Sequence, residues 1–562
     1  MHNLLIDIVT NNIPDNFIGL INRALDEKIR KQFKSRNIKY DNLELDTIKN
    51  HFFIYGKNIS SQKFELENFA NIIDDVINSI NFKYNYKTEL LSFKQSIIYV
   101  KLLSEEQEKI IDFDNKDRVN NDIALNSSII NDFSSELLKN EIILKKEKRL
   151  ESFKKSAHKV ARANGCVIIE NNEILNSYVN KYDYPICIEC SFDEKYITMD
   201  KQILHTVLME NFNVLPLEFD NGNNSNIFIY ARDKKSNDFI NLTAEVNLKL
   251  ENISFLIKNK SEKKLEDFVN DLKLIPYVNN FGNYYDKTER LINISQDLCK
   301  ILSVSDEAMQ SVNRISFLCK ADRATEIVKR YFYLHGLIGR LYAKSDGEDQ
   351  IVYDGIYQHI KPRYFQENIP NSIAARIVSI SDKMEYVMAY LISSNDENLK
   401  YNYKIRTTIS SVIAIILKSE LDFNLDDFIS NILYVFLKEN GIVDYENLHL
   451  KIRDIVLDVY RDNCIKLGYE YEEVDVINYE NLNLLSSHQV LKGIHNLDSN
   501  KKDAVINKLN KFNGIDTSNL NYTPMEVDIN CLQSVLDKFL DCSEDDIKFY
   551  KVIFKKIFNN GK

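Results

Sequence analysis

The residue types best suited to bind a metal ion are His335, His359 and Asp382. A metal-dependent phosphohydrolase with such ligands places a His, an adjacent His-Asp pair and a distant Asp around divalent ions, which activate water for attack on phosphorus. The chain contains nine His, and none of them is followed by Asp. We therefore expect no bound metal. His335, in Leu-His-Gly, should be a turn residue, and Asp382 should cap a helix or lie on its surface.

A second candidate for chemistry is the pair Cys187 and Cys190, spaced as C-x-x-C. Structural zinc needs four ligands, and the chain has no second such pair and no nearby His-x-x-x-His. The alternating segment Ile186–Cys190 predicts a strand that directs the two thiols to opposite faces. We expect both to pack in the core. The eight Cys of a chain this long should stay reduced.

Glycine-rich loops that bind phosphate are missing from the sequence. The chain has 14 Gly and no G-x-x-x-x-G-K-[ST], and the close pair Gly336 and Gly339 is not followed by Lys-Ser or Lys-Thr. ATP-binding stretches of the H-I-G-H or K-M-S-K-S type are missing too. We therefore predict no catalytic residues, no metal ligands and no cofactor in this chain.

A basic segment stands out in a chain that is acidic overall. Between Lys139 and Arg162, nine Lys and Arg occur with only three Glu. Such a local stripe is typical of a surface that binds a phosphate backbone, and the alternative is a solvated helix face. More Lys lie near the C-terminal end. The candidate nucleic-acid-binding residues are Lys145, Lys146, Lys148, Arg149, Lys154, Lys155, Lys501, Lys502, Lys508 and Lys511.

Composition limits the class of protein. A chain of 562 residues predicts three or four domains, because single cores stop growing at roughly 250 to 300 residues. A net charge of −11 argues against a protein whose whole surface binds RNA, so any RNA contact should be local. No apolar run approaches the roughly 18 to 20 residues of a membrane span. Because no signal-peptide pattern is present either, we expect a cytoplasmic protein without a membrane partner.

The most distinctive block is LCKADRATEIVKRYFYLHGLIGRLYAKSDGE, Leu318–Glu348. It resembles the beta subunit of the two-subunit bacterial glycyl-tRNA synthetase, whose pattern is close to L-x-K-x-D-L-x-T-x-M-V-x-E-F-x-x-L-Q-G-x-M-G-x-x-Y-A-x-x-D-G-E. FGNYYDKTERL, Phe281–Leu291, is similar to the family's L-G-T-x-x-D-K-T-x-R-I, and IAARIVSISDKMEYV, Ile373–Val387, belongs with the block. Weaker similarity extends over Leu4–Pro14, Lys181–Ile197, Lys404–Ile429 and Leu536–Phe558.

The N-terminal half departs from that family pattern. Leu208–Pro216 contains no Lys where the family has K-G-D-Q-K-Y-F-P, and Leu242–Lys258 contains no Arg and no Gly where it has G-N-x-x-V-x-x-P-R-L. The chain is also shorter than a typical beta subunit. This half therefore keeps the apolar frame that folds it, without the polar residues of those segments.

The resemblance implies a subunit that binds and positions tRNA(Gly). A separate alpha subunit would activate glycine with ATP and Mg, in an assembly of two alpha and two beta chains, and the isolated beta chain would be inactive. Two other interpretations stay open. One is a stand-alone RNA-binding or regulatory relative, and the other is an HD-type metal-dependent phosphohydrolase, which the missing His-Asp pair disfavours.

The elements that position these residues form a multidomain α+β protein. Residues 1–137 mix strand-like runs with an amphipathic helix over Phe69–Ile80, and residues 138–260 combine the basic helix with the strand-like runs GCVII, PICIEC and NIFIYAR. From 261 onward the pattern is almost wholly helical. The resemblance implies an all-α HD-like domain over 261–395 and an all-α anticodon-binding-like domain over 396–562, in which 514–528 resembles a linker.

One helix of the C-terminal region is well marked. Asn424 can cap it, and Asp426 and Asp427 favour its positive end. Phe428, Ile432, Val435 and Phe436 form its apolar stripe, and Lys438 and Gly441 should end it.

Overall fold

A computed structural model describes most of the chain, in two compact units, Met1–Lys260 and Ser261–Lys562. The described residues are 2–10, 13, 15–48, 51–60, 64–80, 83–86, 89–112, 137–139, 141–234, 242–259, 262–278, 281–394, 402–440, 445–477 and 482–512.

The first unit begins with a five-stranded antiparallel sheet in the order β2-β3-β1-β6-β7. One face packs on helices through rows of apolar residues four apart, such as Leu25, Ile29 and Phe33. The other face, which includes Leu5 and Phe53, is covered by apolar residues of 137–144. The elements are β1 His2–Thr10, α1 Asp15–Ser35, β2 Asn42–Ile48, β3 His51–Ile59, α2 Leu66–Ser79, a separate ribbon of β4 Lys83–Tyr86 and β5 Glu89–Ser92, α3 Phe93–Ser96, β6 Ile97–Leu103 and β7 Glu108–Asp112.

The same unit contains a second antiparallel sheet, with four strands in the order β8-β10-β11-β9. The elements are α4 Lys146–Ala163, β8 Cys166–Ile168, α5 Asn172–Lys181, β9 Pro185–Ser191, α6 Lys201–Thr206 continuing into a π-helical turn at Val207–Asn211, β10 Leu215–Phe219, β11 Asn224–Asp233 and α7 Leu242–Lys258. Each strand-like run named from the sequence is a strand here.

The described residues of the second unit are helical apart from turns and one isolated bridge between Pro276 and Asn283. Short 3-10 segments occur at Leu272–Leu274, Ala321–Ala324 and Phe332–Leu334. The helices are α8 Asp267–Asp271, α9 Tyr284–Ile301, α10 Asp306–Leu318, α11 Glu326–Arg330, α12 Leu337–Ser345, α13 Gln350–Gln358, α14 Ile373–Ser393, α15 Tyr403–Lys418, α16 Leu425–Asn440, α17 Tyr445–Lys466, α18 Tyr471–Asp475, α19 Leu484–His495 and α20 Ser499–Phe512.

The predicted fold class, a mixed region followed by a helical region, is confirmed. The finer HD-like and anticodon-binding-like assignments stay predictions. Helix α16 begins as expected, because the Asn424 side chain accepts a hydrogen bond from the backbone N–H of Asp426 at 2.9 Å. Phe428 and Phe436 of its predicted stripe are fully buried. Gly441, the proposed linker 514–528, and Cys531 and Cys542 lie outside the described residues.

None of the helices in the described part of the chain combines the length and the apolar character needed to cross a membrane.

Candidate functional site

Helix α4 carries most of the candidate basic residues. Its buried side consists of Arg149, Phe153, Ala157 and Ala161, and it packs on β8, β9 and α5. Phe153 contacts Tyr178 of α5 edge to face, with ring centroids 5.2 Å apart. Because residues four apart share one helix face, this buried row leaves the opposite side of α4 in solvent.

The exposed side of α4 carries four cations, Lys148, Lys155, Lys159 and Arg162, which we call the α4 cation face. Their spacings of seven, four and three residues keep them in one stripe, about 21 Å long at ~1.5 Å per residue. Within the described part of the chain none of the four is paired with a carboxylate, although Glu151 is exposed beside them. Unpaired cations in a row can follow a phosphate backbone.

Three other candidates on this segment have different surroundings. Lys145 pairs with Glu44 at 3.3 Å, and Lys154 pairs with Glu170 at 2.6 Å. Lys146 is half-buried. Since carboxylates of the protein already pair with Lys145 and Lys154 at its surface, Lys148 and Lys155 are the candidates on this segment that the structure leaves exposed and unpaired.

Arg149 is buried, contrary to its predicted place in an exposed stripe. Its side chain is 1% exposed, and its guanidinium is aimed at main-chain carbonyls. The acceptors are the oxygens of Val179 at 2.8 Å, Ile143 at 2.7 Å, Leu144 at 2.6 Å and Thr47 at 3.1 Å. Burial lowers the pKa of Arg149, and nearby Asp183 and Asp46 oppose that shift. The guanidinium holds the fold together and is not available to a phosphate.

The C-terminal candidates are only partly described. Lys501 is exposed. Lys502 donates to the fully buried carboxylate of Glu473 at 2.6 Å, and His495 contacts the same carboxylate at 2.9 Å. Lys502 is therefore committed to an internal ion pair. The side chains of Lys508 and Lys511 lie outside the described residues, as do the five Lys after position 540.

The second unit contains a buried ion network between α9 and α14, with Glu385 at one end. Glu385 is fully buried and accepts hydrogen bonds from the Tyr277 hydroxyl at 2.8 Å, from Arg290 Nε at 2.9 Å and from the Lys287 ammonium. Lys287 and Arg290 share one face of α9, because they are three residues apart. Burial opposes charge on Lys287, but Asp382 and Glu385 together raise its pKa well above the usual value.

Asp382 extends this network and is not the surface or capping residue that the sequence predicted. One carboxylate oxygen lies 2.9 Å from Lys287 Nζ, and the other accepts from Lys320 Nζ at 2.7 Å. Burial alone would raise the pKa of Asp382, but Lys287 and Lys320 hold it well below its ordinary range. Lys320 Nζ also lies 2.9 Å from Nε2 of His359. Burial, together with Lys320, lowers the pKa of His359 well below its usual value, so the imidazole is neutral.

A second buried carboxylate, Asp322, fixes the turn that contains His335. Asp322 is fully buried and accepts from His335 Nδ1 at 2.7 Å and from the backbone N–H groups of Gly336 at 2.7 Å and Gly339 at 3.0 Å. Burial raises the pKa of Asp322, but His335 and these hydrogen bonds outweigh that effect and lower it. His335 lies in a turn, as predicted, and the next residue of that turn, Gly336, has a φ of 82°. The burial of His335 was not predicted.

These contacts bring together the three most distinctive stretches of the sequence. Lys287 and Arg290 come from DKTER, Lys320 and Asp322 from KAD, and the carboxylates of α14 from SDKMEY. In the sequence these stretches indicated only a resemblance to a family. That they form one buried network was not predicted. The available signal was the spacing of charged residues three apart within otherwise apolar helices.

The arrangement disfavours metal-dependent hydrolysis. Such chemistry needs His and Asp ligands around a divalent ion with a position left for water. Here an ammonium lies between His359 and Asp382. Across the described ranges, no group of three or more His, Cys, Asp or Glu side chains is arranged to hold a metal ion.

Cys187 and Cys190 lie on strand β9, in register with Ala231 and Phe228 of β11, so the predicted strand is confirmed. Both side chains are only half-buried, so the expectation that both pack in the core is wrong. Neither forms a disulfide, and the other described cysteines, Cys166, Cys299, Cys319 and Cys464, are also free thiols. Burial raises the pKa of Cys187 to about 12, so its thiol is protonated and unreactive near neutral pH.

Comparison with known proteins finds a family model that matches residues of both units. The family model described as "Glycyl-tRNA synthetase beta subunit" matches residues 90–478. This range includes the α4 cation face and the whole buried ion network.

Individual relatives support the same similarity at low identity. The chain is 23% identical over 506 residues to the glycine--tRNA ligase beta subunit of Clostridioides difficile (strain 630), covering 86% of this chain and 72% of the relative. The chain is 26% identical over 438 residues to the beta subunit of Dictyoglomus thermophilum, covering 75% of this chain and 61% of the relative. It is also 26% identical over 355 residues to the beta subunit of Sulfurihydrogenibium sp. (strain YO3AOP1), covering 61% of this chain and 52% of the relative. The matches thus span between 52% and 72% of these relatives' own lengths.

Proposed function

Because this chain belongs to the glycyl-tRNA synthetase beta subunit family, we propose that it is the tRNA-binding subunit of a glycine–tRNA ligase. Its role is to bind and position tRNA(Gly) while glycine is attached in an ATP-dependent reaction. The family match over 390 or so positions carries this proposal, and the low identity to each relative does not weaken it, because the match crosses both units of the fold.

The α4 cation face is the proposed site of contact with the tRNA backbone. The whole chain carries a net charge of −11, so a polyanion is repelled by most of its surface and needs a local positive stripe. The four cations of this face supply such a stripe without internal carboxylate partners among the described residues. Lys501 is a second candidate contact in the C-terminal helix α20.

Glycine activation and transfer would be carried out by a partner subunit and not by this chain. A separate alpha subunit would bind ATP and Mg and activate glycine, in a cytoplasmic assembly of two alpha and two beta chains. In support, this sequence has no recognisable ATP-binding stretch. The network around Glu385 and Asp382 is saturated by its own cations, so it offers no group for acyl or phosphoryl transfer.

The decisive experiment combines the purified chain with the alpha subunit of the same organism. The chain alone should bind tRNA(Gly) but neither exchange pyrophosphate with ATP in the presence of glycine nor charge tRNA. Adding the alpha subunit should give charging that neither chain gives alone. Glycine-dependent exchange by the chain alone would contradict the division of labour.

The departures of the N-terminal half from the family pattern, such as the absence of Lys from Leu208–Pro216, favour one alternative, a stand-alone RNA-binding or regulatory relative. It predicts tRNA or other RNA binding with no complex with the alpha subunit. Size-exclusion chromatography of the mixed subunits, followed by the charging assay, distinguishes the two functions.

A further inference from the structure

An exposed aromatic side chain, Phe332, lies beside a guanidinium in the second unit. Phe332 is 56% exposed and begins the 3-10 segment that follows α11. The guanidinium carbon of Arg323 lies 4.6 Å from the centre of the Phe332 ring and 4.1 Å from the centre of the Tyr284 ring. The His335 ring stacks on Phe332 with a centroid distance of 5.9 Å, so these two rings are offset. More than half of Phe332 therefore stays open to solvent.

Arg323 has hydrogen-bond donors that the protein does not use. Among the described residues its side chain forms no hydrogen bond and no ion pair, and its Nε is buried without a partner. A guanidinium carries five N–H donors in a planar fork that fits phosphate and carboxylate groups. Contacts with the faces of aromatic rings position this fork but leave its donors unsatisfied. The unused donors therefore point to an anionic ligand.

The surface near Phe332 is positive, although the net charge of the chain is −11. Lys329 is exposed and has no carboxylate partner in the part of the chain that the structure describes. Arg330 is exposed too, and it pairs with Glu326 of the preceding turn at 2.8 Å. Together with Arg323, three cations thus accompany one exposed carboxylate in this stretch. Such a local excess of positive charge attracts a polyanion.

We propose that Phe332 and Arg323 bind an unpaired nucleotide of the tRNA. The Phe332 ring stacks on the base, while the Arg323 guanidinium and the Lys329 ammonium contact phosphates. Single-stranded nucleic acid is bound by this combination of an aromatic ring for the base and cations for the backbone. A paired base does not fit, because its neighbours in the helix cover both of its faces. The inference rests on the proposed function, since it requires that the chain binds tRNA.

A protein partner is the competing occupant of this surface, because aromatic residues and Arg are frequent in the hot spots of protein interfaces. Such a partner would have to bring a carboxylate to Arg323 and an apolar group to Phe332. One nucleotide supplies both a planar ring and an anion. The observations therefore favour RNA, and the experiment below includes the protein interface as an outcome.

The test measures binding of the full-length chain to three RNAs over a series of KCl concentrations. They are tRNA(Gly), a single strand of about 12 nucleotides, and the blunt duplex of that strand with its complement. Phe332→Leu removes the ring and should weaken binding of tRNA and of the single strand roughly 5- to 150-fold, with no change in salt slope. Duplex binding should stay unchanged. Arg323→Gln should lower the salt slope for the single strand by about 0.7.

The chain offers a matched control in Phe255 of α7. Phe255 is 62% exposed and, within the described ranges, has no stacked ring or cation. Phe255→Leu should leave the affinity for all three RNAs unchanged. Phe332→Trp keeps an aromatic surface and should bind tRNA at least as tightly as the wild type. Because both Phe side chains are exposed, the melting temperatures of these variants should stay close to that of the wild type.

Three results would overturn the inference. Unchanged affinity of folded Phe332→Leu for tRNA and for the single strand would show that no base stacks on this ring. An equal loss of duplex affinity would show that Phe332 does not distinguish unpaired from paired RNA. If Phe332→Leu keeps its RNA affinity but no longer assembles with the alpha subunit, the surface is a protein interface. In each case the wild type still binds tRNA, whereas failure of the proposed function would appear as a wild type that does not bind it.

Discussion

Removing charge from the α4 cation face should weaken tRNA binding and flatten its dependence on salt. The change is Lys148→Gln, Lys155→Gln, Lys159→Gln and Arg162→Gln together. Each phosphate neutralised adds about 0.7 to 0.9 to the slope of log affinity against log salt, so four contacts contribute roughly 2.8 to 3.6. Between about 50 and 200 mM KCl, the wild type should lose roughly 50- to 150-fold more affinity than the variant.

The structure supplies a matched control on the same basic segment. The double change Lys155→Gln and Lys159→Gln and the double change Lys145→Gln and Lys154→Gln remove the same charge. The first pair is exposed and unpaired, whereas Lys145 and Lys154 already pair with carboxylates. The first double variant should lower the slope by about 1.4 to 1.8, and the second should leave it nearly unchanged.

The assay is equilibrium binding of fluorescent tRNA(Gly) to the alpha-beta complex over a series of KCl concentrations. Exposed charges contribute little to stability, so melting temperatures should stay close to that of the wild type. An unchanged slope in the folded fourfold variant would refute the assignment. The α4 cation face would then be a solvated helix surface, and the same series at Lys501 would test the C-terminal helix.

Three further predictions concern stability, measured by urea unfolding. Arg149→Lys should cost about 2 to 4 kcal/mol, because an ammonium cannot span the carbonyls that the guanidinium reaches; a neutral result would contradict the clamp. Glu385→Gln should cost about 3 to 5 kcal/mol, because Arg290 and Lys287 lose a buried counter-charge; wild-type stability would show that the network is dispensable. Burial lowers the pKa of Lys383 from 10.5 to about 7, so the unfolded chain binds more protons between these values and the free energy of unfolding should rise with pH over this window. Lys383→Met should lack that rise, and an identical pH profile in both proteins would show that Lys383 is charged when folded.

Local features of the fold were predictable because they depend on neighbouring residues. Strand β9 followed from the alternation around Cys187, and α16 followed from its cap and apolar stripe. The mixed-then-helical order followed from the change of hydrophobic period along the chain. In each case the decisive interactions lie within a few residues or one helical turn.

The candidate site was predicted less well, because burial of a charge depends on distant partners. The sequence places Arg149 in a basic run, yet it is buried because it reaches the carbonyl of Thr47, 102 positions away. Lys287 and Glu385 are 98 positions apart. A helical projection predicts which cations share a helix face. It does not reveal that a charged residue is buried, because burial depends on main-chain carbonyl acceptors from distant parts of the chain.

The burial of Arg149 also determines how the first unit can come apart. Its guanidinium joins β2 of the five-stranded sheet, the segment before α4 and the end of α5 beside the four-stranded sheet. Separating the two sheets would remove the carbonyl acceptors of the Arg149 guanidinium while that charge is still buried. Partial opening along this boundary is therefore costly. The amide hydrogens of β2 and α4 should therefore exchange with solvent in one cooperative event, as a single foldon.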